Sequence, residues 1–191
     1  LHNPFIQPDE FDVHLQFQHE KFDEILKSIK PTFKNIKGDL SLEIKLDGCH
    51  NRSDIKLNNF AGTFVINILK DGKYYCPILS SNISSFTGNC GVKSIDHLYL
   101  CDQVDNKKLK TELLQILESL VFHRMNCGLL IGSDTNCDSH RGTTLRNIQL
   151  YGEGYEVDRP IWNPNYDWDK THKISLFRKD LTGFDHTNYW D

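Results

Sequence analysis

Between Val92 and Tyr155 apolar and polar positions fall in blocks that read strand, loop, helix, strand, loop, helix. Ile95–Cys101 is an apolar run broken by Asp96 and His97, which predicts a strand. After the polar step Asp102–Lys108, apolar residues recur at Leu109, Leu113, Ile116, Leu117, Leu120 and Val121. Those spacings put one apolar stripe on a period of 3.6 residues, so a helix is expected, with Asp105 or Asn106 capping its first turn. Cys127–Gly132 is short and apolar and suits a buried strand. Thr143–Leu150 reads as a second helix, ending at Tyr151-Gly-Glu-Gly154-Tyr155. A right-handed crossover makes the two strands parallel neighbours.

Upstream, Val13–Ile29 holds helical spacing through Leu15, Phe22, Ile25, Leu26 and Ile29, and Pro31 stops it. Leu40–Leu46 alternates strictly, the pattern of a half-buried strand. Asp47–Asn59 is polar and reads as a loop. Thr63–Leu69 and Tyr74–Leu79 are β-rich runs joined through Asp71-Gly72, a hairpin signal because glycine accepts the positive φ of the turn. Ser80–Gly91 reads as a second polar loop. Downstream, Tyr155–Val157 and Lys173–Phe177 read as an antiparallel pair. The expected organisation is an arm over 1–12, one domain over 13–181 and an aromatic tail over 182–191.

Composition narrows the classes. The chain has 191 residues, 38% hydrophobic and 25% charged, enough to bury a core and too apolar for general disorder. A formal net charge of −4 argues against a nucleic-acid coat. No apolar run approaches the ~20 residues of a membrane span, and Leu1–Pro8 does not read as a secretory signal. The six cysteines form no Cys-x-x-Cys pair, and Cys101 and Cys127 sit in apolar runs, so reduced cysteines and an intracellular setting are expected. His123, Cys127, Cys137 and His140 lack zinc-module spacing, and no metal site is expected.

Helix, β-meander, strand–helix–strand–helix and a closing antiparallel pair resemble the GNAT superfamily of N-acetyltransferases from about residue 40 to 181. Leu150-Tyr151-Gly-Glu-Gly154-Tyr155-Glu156 looks like that family's fourth-helix ending, with the tyrosine-to-glycine gap one residue shorter, and Ile174–Leu181 looks like its C-terminus. The resemblance implies an α+β fold: a mixed, mostly antiparallel twisted sheet with helices on both faces. It also implies a loop before the third family helix reading Arg or Gln, two residues, Gly, one residue, then Gly or Ala. There backbone N–H groups and a helix N-terminus hold the pyrophosphate of acetyl-CoA, and small residues let the backbone approach. Two registers are open, Asp105–Lys110 and Gln103–Lys108. Lysines or Asn106 stand at the small positions in both, so the loop is degenerate. Gln103, Asp105, Asn106, Lys107, Lys108 and Lys110 are the candidate cofactor-binding residues. Tyr151 matches the family's acid, which protonates a leaving thiolate, and Asp96 is a candidate base. Lys110 is expected on a solvated face.

The late loop and tail carry Trp162, Tyr166, Trp168, Phe184, Tyr189 and Trp190 among aspartates. Aromatics with polar tips are enriched at protein interfaces, while the acidic setting disfavours nucleic acid. The expected role is a GNAT-like structural or interaction component without a cofactor, a virion or assembly component by analogy with viral and phage examples. It would work through a protein partner or self-assembly at those six aromatics. The alternative is an amine acetyltransferase using acetyl-CoA.

Overall fold

The strict alternation of Leu40–Leu46 becomes the first strand of an eight-stranded sheet in order β1-β2-β3-β4-β5-β8-β6, with β7 also on β8. The computed structural model describes residues 19–33, 36–49, 57–86, 89–136, 143–158, 161–162 and 173–190. The strands are β1 (Leu40–Cys49), β2 (Ala61–Lys70), β3 (Lys73–Phe86), β4 (Asn89–Leu100), β5 (Leu129–Asn136), β6 (Glu156–Val157), β7 (Ile161–Trp162) and β8 (Lys173–Asp180). The helices are α1 (His19–Ile29), α2 (Lys107–Ser119) and α3 (Thr143–Tyr151). The pairing is antiparallel throughout except between β4 and β5, which are parallel as the crossover requires.

The hairpin turns at Asp71 (φ 51°) and Gly72 (φ 77°), both in the left-handed region that two-residue turns demand. Asp71 is held there because its carboxylate accepts the Asp39 N–H at 2.9 Å. The expected loop Ser80–Gly91 is instead strand: β3 runs to Phe86 and β4 starts at Asn89. Its serines and asparagines look like loop residues, but Ile83 lies buried against Ile95 and pairing with β4 satisfies the backbone. The helix expected from Val13 is described from His19, and Pro31 sits in a closing 3₁₀ turn, Lys30–Phe33. Tyr166, Trp168 and the arm over 1–12 lie outside the described residues.

Buried sheet side chains form one face, including Leu42, Leu46, Phe64, Ile66, Ile83, Ile95, Leu98, Leu130 and Phe177. The α2 stripe covers it: Leu109, Leu113, Ile116 and Leu117 are all buried, and a π turn, Leu120–Arg124, carries the stripe on through Leu120 and Val121. Leu113→Ala and Leu117→Ala should each cost about 3 kcal/mol in denaturant unfolding. Lys110, expected to be exposed, is 6% exposed. Its aliphatic stem lies in the same stripe, and Lys110→Ala should also destabilise, by more than the roughly 0.5 kcal/mol of a surface change.

The C-terminal aromatics divide. Phe184 is exposed, but Tyr189 and Trp190 are buried, with the Trp190 ring 5.9 Å from Phe64 of β2. They are core residues of their own chain rather than surface anchors. Ser119 ties the segment down: its hydroxyl donates to the Thr187 carbonyl (2.8 Å) and accepts from the Tyr189 N–H (3.3 Å). Gly154, at φ 79°, lets the segment pass, since a Cβ there would stand 2.2 Å from the Phe184 ring.

Candidate functional site: the cleft between β4 and β5

β4 leaves regular pairing at His97, whose φ is 49°. Asn82 faces Asp96 and Ser80 faces Tyr99, so His97 and Leu98 share Ser81 as their opposite residue. A bulge of this kind bends the strand. Ser81 Oγ supports it by donating to the Asp96 carbonyl at 3.2 Å. β4 and β5 pair only from Val92–Ser94 to Leu129–Ile131; beyond that β5 continues against β8. The two parallel strands therefore part, and the edge of β4 past the bulge faces a cleft. The fold is GNAT-like.

An unpaired strand edge offers N–H and C=O groups to any extended amide-bearing ligand. In this chain α3 supplies the partners instead. The Leu98 N–H donates to Thr144 Oγ1 at 2.9 Å, and Asn147 Nδ2 donates to the Leu98 carbonyl at 2.7 Å. Thr144 and Asn147 sit three apart, interleaved with the buried Leu145 and Ile148, so one helix face delivers both polar groups and the apolar contacts.

The loop between β4 and α2 is also closed on itself. Val104 is buried and its N–H donates to the Cys101 carbonyl (3.1 Å), while the Asp105 N–H donates to that of Gln103 (3.0 Å). Asn106 is the N-cap of α2, accepting from the Leu109 N–H at 3.2 Å. Gln103, Asp105, Asn106, Lys107 and Lys108 are exposed. Lys107 and Lys108 border an open cavity of about 640 Å³ that also holds Glu112 and Glu153, acids that offset their charge toward an anion. The amides of Val104, Asp105 and Leu109 have acceptors already, which leaves fewer free backbone donors at this loop for an anion.

Two predicted site residues meet. Lys110 Nζ lies 3.2 Å from the Tyr151 hydroxyl and 4.8 Å from the centre of its ring, joining α2 to the end of α3. Asp96 is exposed, and among the described residues no contact links it to Tyr151. Cys137 and His140 lie outside the described residues, and Cys127 gives its thiol proton to backbone carbonyls of Gly91 and Leu129. Cys76, Cys101 and Cys127 are free thiols.

A second polar cluster escaped the sequence reading. Lys179 of β8 and Glu118 of α2 form a buried ion pair at 2.8 Å, and Tyr155 donates to the other Glu118 oxygen at 2.8 Å. The Tyr155 and Phe184 rings flank the ammonium at 5.3 and 4.5 Å. Glu118 within the apolar stripe Leu117–Leu120 was the signal that a buried cation faced it.

No family model and no curated protein matches the sequence. Solved structures similar in arrangement include a GNAT-family acetyltransferase from Bacillus anthracis, 11% identical over 63% of this chain and 66% of that one, TM-score 0.44. A spermidine N-acetyltransferase SpeG chimera from Vibrio cholerae and hSSAT is 8% identical over 63% and 69%, TM-score 0.43. A second Bacillus anthracis protein, solved in complex with acetyl coenzyme A, is 8% identical over 64% and 63%, TM-score 0.41. At such identities and scores these likenesses carry no argument about cofactor or substrate.

Proposed function

We propose that this chain is a GNAT-like domain that does not use acetyl-CoA and works as a structural or protein-interaction component. The observation that carries the reading is the filled edge of β4: Thr144 and Asn147 hold the Leu98 N–H and C=O that a ligand in the cleft would need. The capped α2 and the lysines at its start support it. A ligand entering the cleft would have to displace two side-chain hydrogen bonds, one of them from a buried threonine, without leaving those groups unpaired. Assembly in a virion or elsewhere is part of the reading and rests on fold analogy alone.

Calorimetric titration with acetyl-CoA is expected to give no binding tighter than ~1 mM, about −4 kcal/mol. A micromolar isotherm would overturn the reading. Amine acetylation is the second reading, and one contact favours it. With Lys110 donating to the Tyr151 oxygen, the phenol keeps its own O–H for another acceptor. A micromolar isotherm together with turnover lost in Tyr151→Phe would establish it.

No helix among the described residues is long and apolar enough to cross a membrane.

A further inference from the structure

The two edges of the sheet are built differently. One ends in β6, two residues long and carrying the exposed Glu156. Such brevity is a common way of protecting an edge from pairing with another chain. The other edge is β1, ten residues long, with an unshifted register against β2 from Leu40↔Lys70 to Cys49↔Ala61. It contains no proline and no bulge, and among the described residues no strand pairs with its outer side.

The residues of β1 are ordered about Ile44. Leu42, Ile44 and Leu46 lie on the core face; Leu42 and Leu46 are buried and Ile44 is half-buried. Glu43 and Lys45 lie on the other face, with Lys45 Nζ and Glu43 Oε1 3.3 Å apart within one strand. Suppose a second β1 runs antiparallel with its Ile44 opposite the first Ile44. Leu42 then faces the second copy's Leu46, and Glu43 faces its Lys45. By symmetry each of these pairs occurs twice, so every opposed pair from 42 to 46 is apolar on apolar or acid on base.

Neighbouring registers fail this test. Centring on Lys45 opposes lysine to lysine and Glu43 to Asp47. Centring on Glu43 opposes glutamate to glutamate. Registers displaced by an odd step set Ile44 against a charged residue and turn one core face to the opposite side of the sheet. Directly opposed like charges destabilise a strand pair, and opposite charges support it.

We propose that two copies of this chain pair antiparallel along β1, about a two-fold axis through Ile44, into one sheet continuous across both. Backbone hydrogen bonds supply the pairing, and the Glu43–Lys45 contacts select the partner and the register. The interface is isologous and closes with two copies, because among the described residues each chain has one such edge. This inference is independent of the acetyl-CoA reading, since β1 lies at the far side of the sheet from the cleft.

The test uses the whole chain in sedimentation equilibrium. The unaltered protein is expected to be a dimer at ~100 μM, where an interface of micromolar Kd is largely occupied. Glu43→Lys and Lys45→Glu each create two like-charge oppositions and should each weaken dimerisation at least about tenfold. The double exchange Glu43→Lys with Lys45→Glu restores complementarity and should recover most of the loss. The double exchange also restores the Glu43–Lys45 contact within each strand, so thermal unfolding of each variant is measured beside it, and only recovery of dimerisation beyond recovery of folding supports the pairing. Ile44→Cys provides a second readout. Opposed residues of an antiparallel pair have Cα atoms about 4.5–5.5 Å apart, within the span of a disulfide, so mild oxidation should give a covalent dimer absent from the unaltered chain. A monomer at all concentrations, a dimer indifferent to both single charge changes, or a double exchange no better than the singles would overturn the proposal. So would an Ile44→Cys variant that forms no additional cross-linked dimer.

Discussion

Trp190→Ala is expected to lower stability by about 3–5 kcal/mol, the range for truncating a buried aromatic. Only 2% of the residue is exposed, and it packs edge-on against Phe64 in the middle of β2. Because a domain is stable by only ~5–15 kcal/mol, removing residues 183–191 should leave the chain unfolded. That deletion takes away Trp190, Tyr189 and both hydrogen-bond partners of the Ser119 hydroxyl, leaving a buried hydroxyl with neither. Phe184→Ala is the control: the ring is exposed, so its loss should be felt far less. Urea midpoints for the three variants decide it, and a truncated chain that unfolds cooperatively near the midpoint of the full chain would contradict the packing described.

Breaking the Glu118–Lys179 pair is expected to have an effect of the same size. Glu118→Ala or Lys179→Ala strands the remaining charge in the interior and should cost about 3–5 kcal/mol. Replacing Glu118, Tyr155 and Lys179 together by Leu, Phe and Met removes all the polar groups at once and should cost much less than either single change. The pH dependence has a definite sign. Burial pushes the Glu118 carboxyl above its ordinary 4.5, with Lys179 and Tyr155 pulling the other way. A raised folded-state value contributes stability that is full below the unfolded value and is lost as pH rises through the folded one. The contribution of the Glu118 carboxyl therefore falls as pH rises through its raised folded-state value. Burial first, and then Glu118, push the Tyr155 phenol well above 10. Its contribution is present below pH 10 and disappears as pH rises beyond that. Stability measured from pH 9 upward should fall in the unaltered chain, and the Tyr155→Phe variant should lack that part of the fall.

Local rules made much of the fold legible. Asp71-Gly72 announced its hairpin, Leu109–Val121 its helix, and the two apolar runs around that helix their parallel pairing. Each signal depends on neighbours in sequence. What failed depended on neighbours in space. Ser80–Phe86 is polar enough for a loop, and only pairing with β4 makes it strand. Lys110 reads as solvated until α3 is known to bring Tyr151 over it. Tyr189 and Trp190 read as exposed because no sequence pattern reports that Phe64 waits more than a hundred residues away. At the cleft, the groups that fill the β4 edge were not legible. Nothing in the helix pattern of Thr143–Leu150 singles out Thr144 and Asn147, and their role follows from the bend of β4 at His97.

The docking of Trp190 on β2 also fixes an order of events during synthesis. β2 emerges early and Trp190 more than a hundred residues later, yet each covers the other's ring. Chains generally fold from the N-terminus as they are made, but here the meander cannot bury Phe64 completely until Trp190 has arrived. Contacts so distant in sequence also slow closure of the loop that joins them. A nascent chain stalled between Phe86 and Trp190 would hold a formed hairpin with an open apolar seam, a candidate for chaperone binding that the molecule with Trp190 docked no longer presents.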